Sequence, residues 1–130
     1  MKPIVLKAGT DTFFTVTDFL YYESEARAGC LRNTDMTFSV STPSGVSGAH
    51  RTFDIREFRR FVKKLESFSE GTNETLRDPD HGIFLCFEAE KDGTCSVSGE
   101  TEGKKPFCLS GITAYDLSLF VYRLKLLLPD

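Results

Sequence analysis

The chain has no tryptophan, only two histidines, and four cysteines of which none forms a C-x-x-C pair. Each shortage narrows the chemistry. Without paired cysteines the common structural zinc site has no ligand set, and Cys30, Cys86, Cys95 and Cys108 are read as reduced thiols. Cys86 and Cys108 stand inside apolar runs and are expected to pack as small buried hydrophobes. His50 and His81 both fall in segments that read as loops. No G-x-S-x-G elbow is present, and nothing local brings Cys30 or Cys86 to His50 as a nucleophile–base pair. Gly45 and Gly48 lack the following Lys and the strand-to-helix setting of a phosphate-cradling loop. No catalytic residue, cofactor or metal is therefore expected.

Long apolar runs are also missing. The most apolar stretch, 117–128, is interrupted by Arg123 and Lys125, short of the ~20 apolar residues that cross a bilayer. The first ten residues do not contain a signal-peptide core, so a cytoplasmic location with no membrane association is expected. Positive charge is not in excess: 16 Lys and Arg stand against 19 Asp and Glu, a formal net charge of -3. A general nucleic-acid binder usually shows a basic face, so nucleic acid is not the expected partner.

What the chain does have is phenylalanine, twelve of them, in 130 residues. That length fits a single domain, 1–130, which can bury about two thirds of its unfolded surface without metal or disulfide staples. The clearest element is 53–68, where Ile55, Phe58, Phe61, Val62, Leu65 and Phe68 recur at helical spacing. Asp54 and Glu57 form a D-x-x-E capping box, and Phe53 with Phe58 a hydrophobic staple. Arg56, Arg59, Arg60, Lys63 and Lys64 make its polar face, the ordinary solvated side of such a helix. A second helix, 113–128, repeats both devices with Thr113 and Asp116 and with Ile112 and Leu117. Leu117, Phe120, Val121, Leu124 and Leu128 form its inner stripe, while Leu119, Tyr122, Leu126 and Leu127 widen it. A girdle that broad implies packing on more than one side.

The remainder reads as strands. A short one covers 4–6, and 12–22 is rich in β-branched and aromatic residues. Met36, Phe38 and Val40 alternate with polar neighbours, as in a strand with one buried face. Ile83, Leu85, Phe87 and Ala89 share a face of another strand, followed by an Asp92-Gly93 hairpin turn, a strand burying Cys95 and Val97, and a third strand over 106–112. The segments 23–34, 42–50 and 72–82 are polar or glycine-rich and are expected to be loops. In the last of these, Asp78, Asp80 and His81 read as turn chemistry, with a metal trio as the alternative. The fold class expected is α+β. Its antiparallel sheet has about five to six strands in a βββα-βββα order, with two helices on one face.

Acidic residues gather in the second half: Glu88, Glu90, Asp92, Glu100 and Glu102. They are expected near one edge or end of the sheet, where they either discourage edge pairing or receive a basic partner. The element order, with Phe19-Leu20-Tyr21-Tyr22 ending an early aromatic strand, Met36 to Val40 alternating, then helix, meander and terminal helix, resembles one known group. These are the small immunity proteins encoded beside bacterial polymorphic toxins, in particular the wall-associated-protein immunity family. That family's pattern includes tryptophans that this chain lacks, so only the fold, the role class and an acidic position at Glu88 carry over. The resemblance implies a non-enzymatic protein that blocks a cognate toxin domain, as monomer or homodimer. The alternative is a small-ligand-binding or accessory domain with an open sheet face fed by Phe14 and Phe84, working alone or as a homo-oligomer.

Overall fold

A computed structural model describes residues 1–68, 71–80 and 82–130. The described residues form β1 (Ile4–Lys7), β2 (Phe13–Tyr21), α1 (Glu23–Arg27), β3 (Thr34–Thr42), β4 (Gly45–Phe53), α2 (Ile55–Glu66), β5 (Asn73–Asp78), β6 (Gly82–Ala89), β7 (Cys95–Thr101), β8 (Lys105–Ile112) and α3 (Ala114–Lys125). The α+β class is as the sequence indicates. The single sheet is not: the strands divide into two antiparallel meanders, β1-β2-β3-β4 (sheet A) and β5-β6-β7-β8 (sheet B). Each meander is followed by one long helix.

Two strands lie where loops are expected. In β4 only Ala49 and Phe53 are buried, so no alternation of large apolar residues announces it. Gly48 serves fit rather than flexibility: a Cβ there would stand 2.8 Å from the Phe38 carbonyl oxygen of β3. In β5 the buried residues are Leu76 and Asp78, and the remaining positions are half-buried or exposed. The segment 23–34, also expected to be loop, contains the short helix α1.

Bulges change two faces. Between Val16 and Asp18 the β2–β3 register shifts, leaving Thr17 as the extra residue. Alternation read straight along the strand places Phe19 opposite Phe14 and Val16. The bulge returns it to their side, and its ring packs on Phe58 at 4.8 Å. In sheet B the β5–β6 register shifts between Leu76 and Arg77, leaving Phe84 unpaired on β6. Phe84 and Leu85 are consequently both buried, and Ile83, expected inside, is 50% exposed.

The two helices do not share one sheet face; they join the two sheets. Phe120 of α3 meets Phe14 of sheet A and Phe87 of sheet B, with ring centroids 6.1 and 6.2 Å away. Phe58 of α2 meets Phe19 and Phe53 of sheet A, and Phe61 meets Phe87 of sheet B. The sheets also touch directly, Phe107 lying against Phe14 and Phe38, and Phe53 against Phe84. The buried apolar residues form one contiguous cluster.

The start of α2 is built as the sequence indicates, with one substitution of partners. Asp54 caps the helix by accepting the Arg56 N–H at 3.0 Å, and the Phe53–Phe58 staple closes at 6.0 Å. Glu57 does not complete the box; its carboxylate binds Arg60 at 3.1 Å. The helix is tied instead to Asn33, which is 3% exposed. The Asn33 side-chain oxygen Oδ1 accepts the Ile55 N–H at 2.8 Å and the Thr34 hydroxyl at 2.9 Å. Its amide donates to the Cys30 carbonyl at 2.9 Å and to Asp54 Oδ1 at 3.3 Å. Replacing Asn33 by Ala strands these groups in a buried site and is expected to cost about 2 kcal/mol in urea unfolding. Burial alone would push the Asp54 carboxyl up, but hydrogen bonds from the Arg56 side chain and N–H and from Asn33 outweigh it and hold it below its ordinary value. A carboxyl lowered by folding contributes stability above its unfolded value, near pH 4, and that contribution fades as pH falls through the folded value. Asn33→Ala should therefore also flatten the acid limb of the stability curve.

Candidate protein-binding surface

The five acidic residues singled out from the sequence all belong to sheet B or its turns, but they do not gather at one end. Glu90 and Asp92 lie in the β6–β7 turn, Glu100 and Glu102 at the β7–β8 turn, with the length of β7 between them. Seven residues at ~3.3 Å each separate the two ends by roughly 20 Å. Glu88 is exposed on β6 near the first end, opposite Ser96 and Asn73.

Two of the five have a structural occupation. Asp92 shapes its turn, accepting the Thr94 hydroxyl at 2.6 Å and the Thr94 N–H at 3.0 Å, and these bonds hold its carboxyl below its ordinary value. Glu102 fastens the sheets together. Its N–H donates to the Gly48 carbonyl at 2.9 Å, and Oε1 accepts the His50 N–H at 3.1 Å and stands 3.6 Å from Arg51 Nη1. The carboxylates of Glu88, Glu90 and Glu100 bind no cation or donor among the described residues.

Glu102 borders a cleft of about 950 Å³ where β4 meets the end of sheet B, lined among others by Arg32, His50, Arg51, Ile83, Glu100 and Phe107. Two of its ion pairs, Arg51 with Glu102 and Arg32 with Asp80, cross the junction. Arg32 makes a two-pronged contact with Asp80 from the β5–β6 turn. Asp35 of β3 accepts the Thr52 hydroxyl at 2.9 Å and the Tyr22 hydroxyl at 3.0 Å, with His50 Nε2 at 3.6 Å. The bond to Asp35 raises the Tyr22 phenol above its ordinary value. None of these residues is legible as a group in the sequence, because His50, Arg51 and Thr52 belong to a strand whose pattern is silent.

A second concavity of about 600 Å³ runs between the end of α2, α3 and the β6–β7 turn, with Leu65, Cys95, Leu117, Val121, Tyr122 and Leu126 on its walls. An ion pair of Lys125 with Glu66 at 2.9 Å stands at its side. Burial, and then the nearby Glu90, push the Cys95 thiol up to about 11. Burial, then Glu88 and Cys108, also raise Cys86. Both are therefore protonated thiols near neutral pH, poorly suited to nucleophilic attack. The buried cysteine is Cys95; Cys86 is half-buried and Cys108 exposed, contrary to the expectation for that pair. Cys108 sits on the outward face of β8, across from Ser98, so the apolar composition of its strand does not bury it. No hydrogen bond joins His50 to Cys30 or Cys86 among the described residues.

The open sheet face expected around Phe14 and Phe84 is filled. Phe14 is 1% and Phe84 5% exposed, both locked into the inter-sheet core. Of the Asp78, Asp80 and His81 set, His81 lies outside the described residues, and Asp78 accepts the Asp80 N–H at 2.8 Å in a local turn. No cluster of three or more His, Cys, Asp or Glu suited to a metal ion occurs among the described residues. Nor is any helix among them long and apolar enough to cross a membrane. No protein-family model, curated protein or solved structure matches the chain, so its function is to be argued from these surfaces themselves.

Proposed function

We propose that this protein is a non-catalytic binding domain of the immunity type, which neutralises a cognate bacterial toxin by covering part of it. The observation that carries the reading is the set of unpaired carboxylates on sheet B. Residues 73–112 hold eight Asp and Glu (Glu74, Asp78, Asp80, Glu88, Glu90, Asp92, Glu100, Glu102) against four cations (Arg77, Lys91, Lys104, Lys105), and Glu88, Glu90 and Glu100 are bound to none of them. A local excess of negative charge favours a partner of the other sign and speeds its arrival. A standard interface covers ~800 Å² on each partner, wide enough to reach both ends of a sheet about 20 Å long.

The test is reversal of Glu88, Glu90 and Glu100 to Lys, leaving Glu102 in place because it ties the sheets together. The partner to use is the toxin domain encoded directly upstream, if a large toxin gene stands there. The triple variant is expected to keep its melting temperature within a few degrees and to bind that domain roughly 30-fold more weakly, mostly through slower association. The loss should shrink at high salt. Unchanged affinity would show that sheet B is not the contact surface.

A further inference from the structure

The unexplained feature of the molecule is the outer side of α3. Its inner stripe, Leu117, Phe120, Val121 and Leu124, is in the core. On the opposite side Tyr115, Leu119, Tyr122 and Leu126 are 76%, 38%, 61% and 68% exposed. Their 4-3-4 spacing sets them within about 60° of each other round the helix, the narrow seam of a helix that pairs with another helix. Four large apolar residues in one exposed line are not the scattered singles of an ordinary surface.

We propose that α3 pairs with α3 of a second copy of this chain, antiparallel about a two-fold axis, through Tyr115, Leu119, Tyr122 and Leu126. The charges beside the seam favour a copy of itself over another partner. Asp116 and Arg123 stand seven residues apart, hence about 20° apart round the helix and on one flank of the seam. A two-fold axis passing between Phe120 and Val121 brings the same flank of both helices together and reverses their direction. Leu119 then faces Tyr122 of the other copy and Tyr115 faces Leu126. Asp116 comes beside Arg123, twice over, as an isologous contact requires. The other flank carries Ser118 and Lys125, and Lys125 is already bound to Glu66, so no like charges meet there. The seam offers on the order of 500 Å² per copy, taking ~200 Å² for an exposed aromatic ring. That is below the ~800 Å² of a standard interface, so the dimer is expected to dissociate in the range of roughly 10–100 µM.

Sedimentation velocity from about 5 to 500 µM tests this, with circular dichroism to verify that each variant is folded. The native chain is expected to pass from its 14.6 kDa monomer to twice that mass across the series. Leu119→Glu with Tyr122→Glu should leave a monomer throughout. Arg123→Asp alone should weaken the dimer about ten-fold, through two lost pairs and the repulsion that replaces them, and adding Asp116→Arg should restore it. A native chain that is monomeric at the highest concentration overturns the proposal. So does a dimer indifferent to the seam substitutions, or a charge exchange that fails to restore association. The readout does not involve sheet B, so this proposal and the toxin-binding reading fail separately.

Discussion

Phe120→Ala is expected to destabilise the protein by about 4 kcal/mol and to leave a single unfolding transition. The ring is 1% exposed and stands where α3 meets both meanders, against Phe14 of β2 and Phe87 of β6. Truncation removes a large buried side chain and leaves a hole that no neighbour can enter easily. Phe14 is held by Phe38 and Phe107, and Phe87 by Phe61. The surroundings already contain a small cavity of about 10 Å³, bounded by Phe14, Phe61, Phe87 and Phe120, so this region is close-packed with little slack. The consequence for cooperativity is the sharper part of the test. If the two sheets were independent units hinged by α2, loss of Phe120 would separate their transitions. Because residues of both sheets share one cluster through this ring, amide exchange in β2 and β3 of sheet A and in β6 and β7 of sheet B should report the same opening free energy. A loss below about 1.5 kcal/mol, or two distinct opening free energies, would mean that the helices do not couple the sheets.

How far the fold is legible in the sequence depends on what each element buries. Both long helices are, because their stripes, caps and staples are local: Asp54 and Thr113 each accept the backbone N–H of a residue two or three positions on. The strands β2, β3 and β6 to β8 are legible because apolar residues repeat along them. The strands β4 and β5 are not, for a reason that lies in other strands. β4 presents Gly48, Ala49 and Phe53 to β3 over a nine-residue register, so its fit depends on smallness rather than on apolar repetition. Splitting one expected sheet into two follows from the same omission: adding a fourth strand to each meander completes two sheets of four. The bulges at Thr17 and Phe84 escape a period-two reading because one extra residue reverses every face after it.

The surfaces are less legible than the core. The acidic residues are visible as composition, but only the hairpin geometry shows that Asp92 is engaged in its own turn and Glu102 in joining the sheets, while Glu88, Glu90 and Glu100 bind no cation among the described residues. The His50, Asp35 and Thr52 group depends on cross-strand pairing of β3 with β4, which sequence spacing does not encode. The seam on α3 is the reverse case. A girdle too broad for one contact is written in the sequence, and the structure accounts for one side of it only.

Gly99→Val is expected to cost about 3 kcal/mol or more, and Gly99→Ala somewhat less, although neither replacement is polar and strands favour valine. The position pairs with Leu85 on β6 and Phe107 on β8, at the centre of sheet B near its cleft end. A Cβ there would stand 2.4 Å from the Phe84 carbonyl oxygen and 3.2 Å from the Phe107 ring. The oxygen cannot withdraw cheaply, because it belongs to the bulge that turns Phe84 inward against Phe53. The ring cannot withdraw either, because it lies over the glycine while touching Phe14 and Phe38 of the other sheet. Relief therefore requires β6 and β7 to part, or Phe107 to leave the core. The effect should reach beyond stability. Parting the strands shifts Glu100 and the β7–β8 turn, so Glu102 would lose its bonds to His50 and Gly48, and the junction between the sheets would loosen. Amide exchange checks this directly: in Gly99→Ala the His50 and Glu102 amides should exchange faster than in the native chain by more than the global loss of stability explains, while those of α2 should not. Equal acceleration at both places would mean that the close approach at Gly99 sustains the fold as a whole and has no particular hold on the sheet junction.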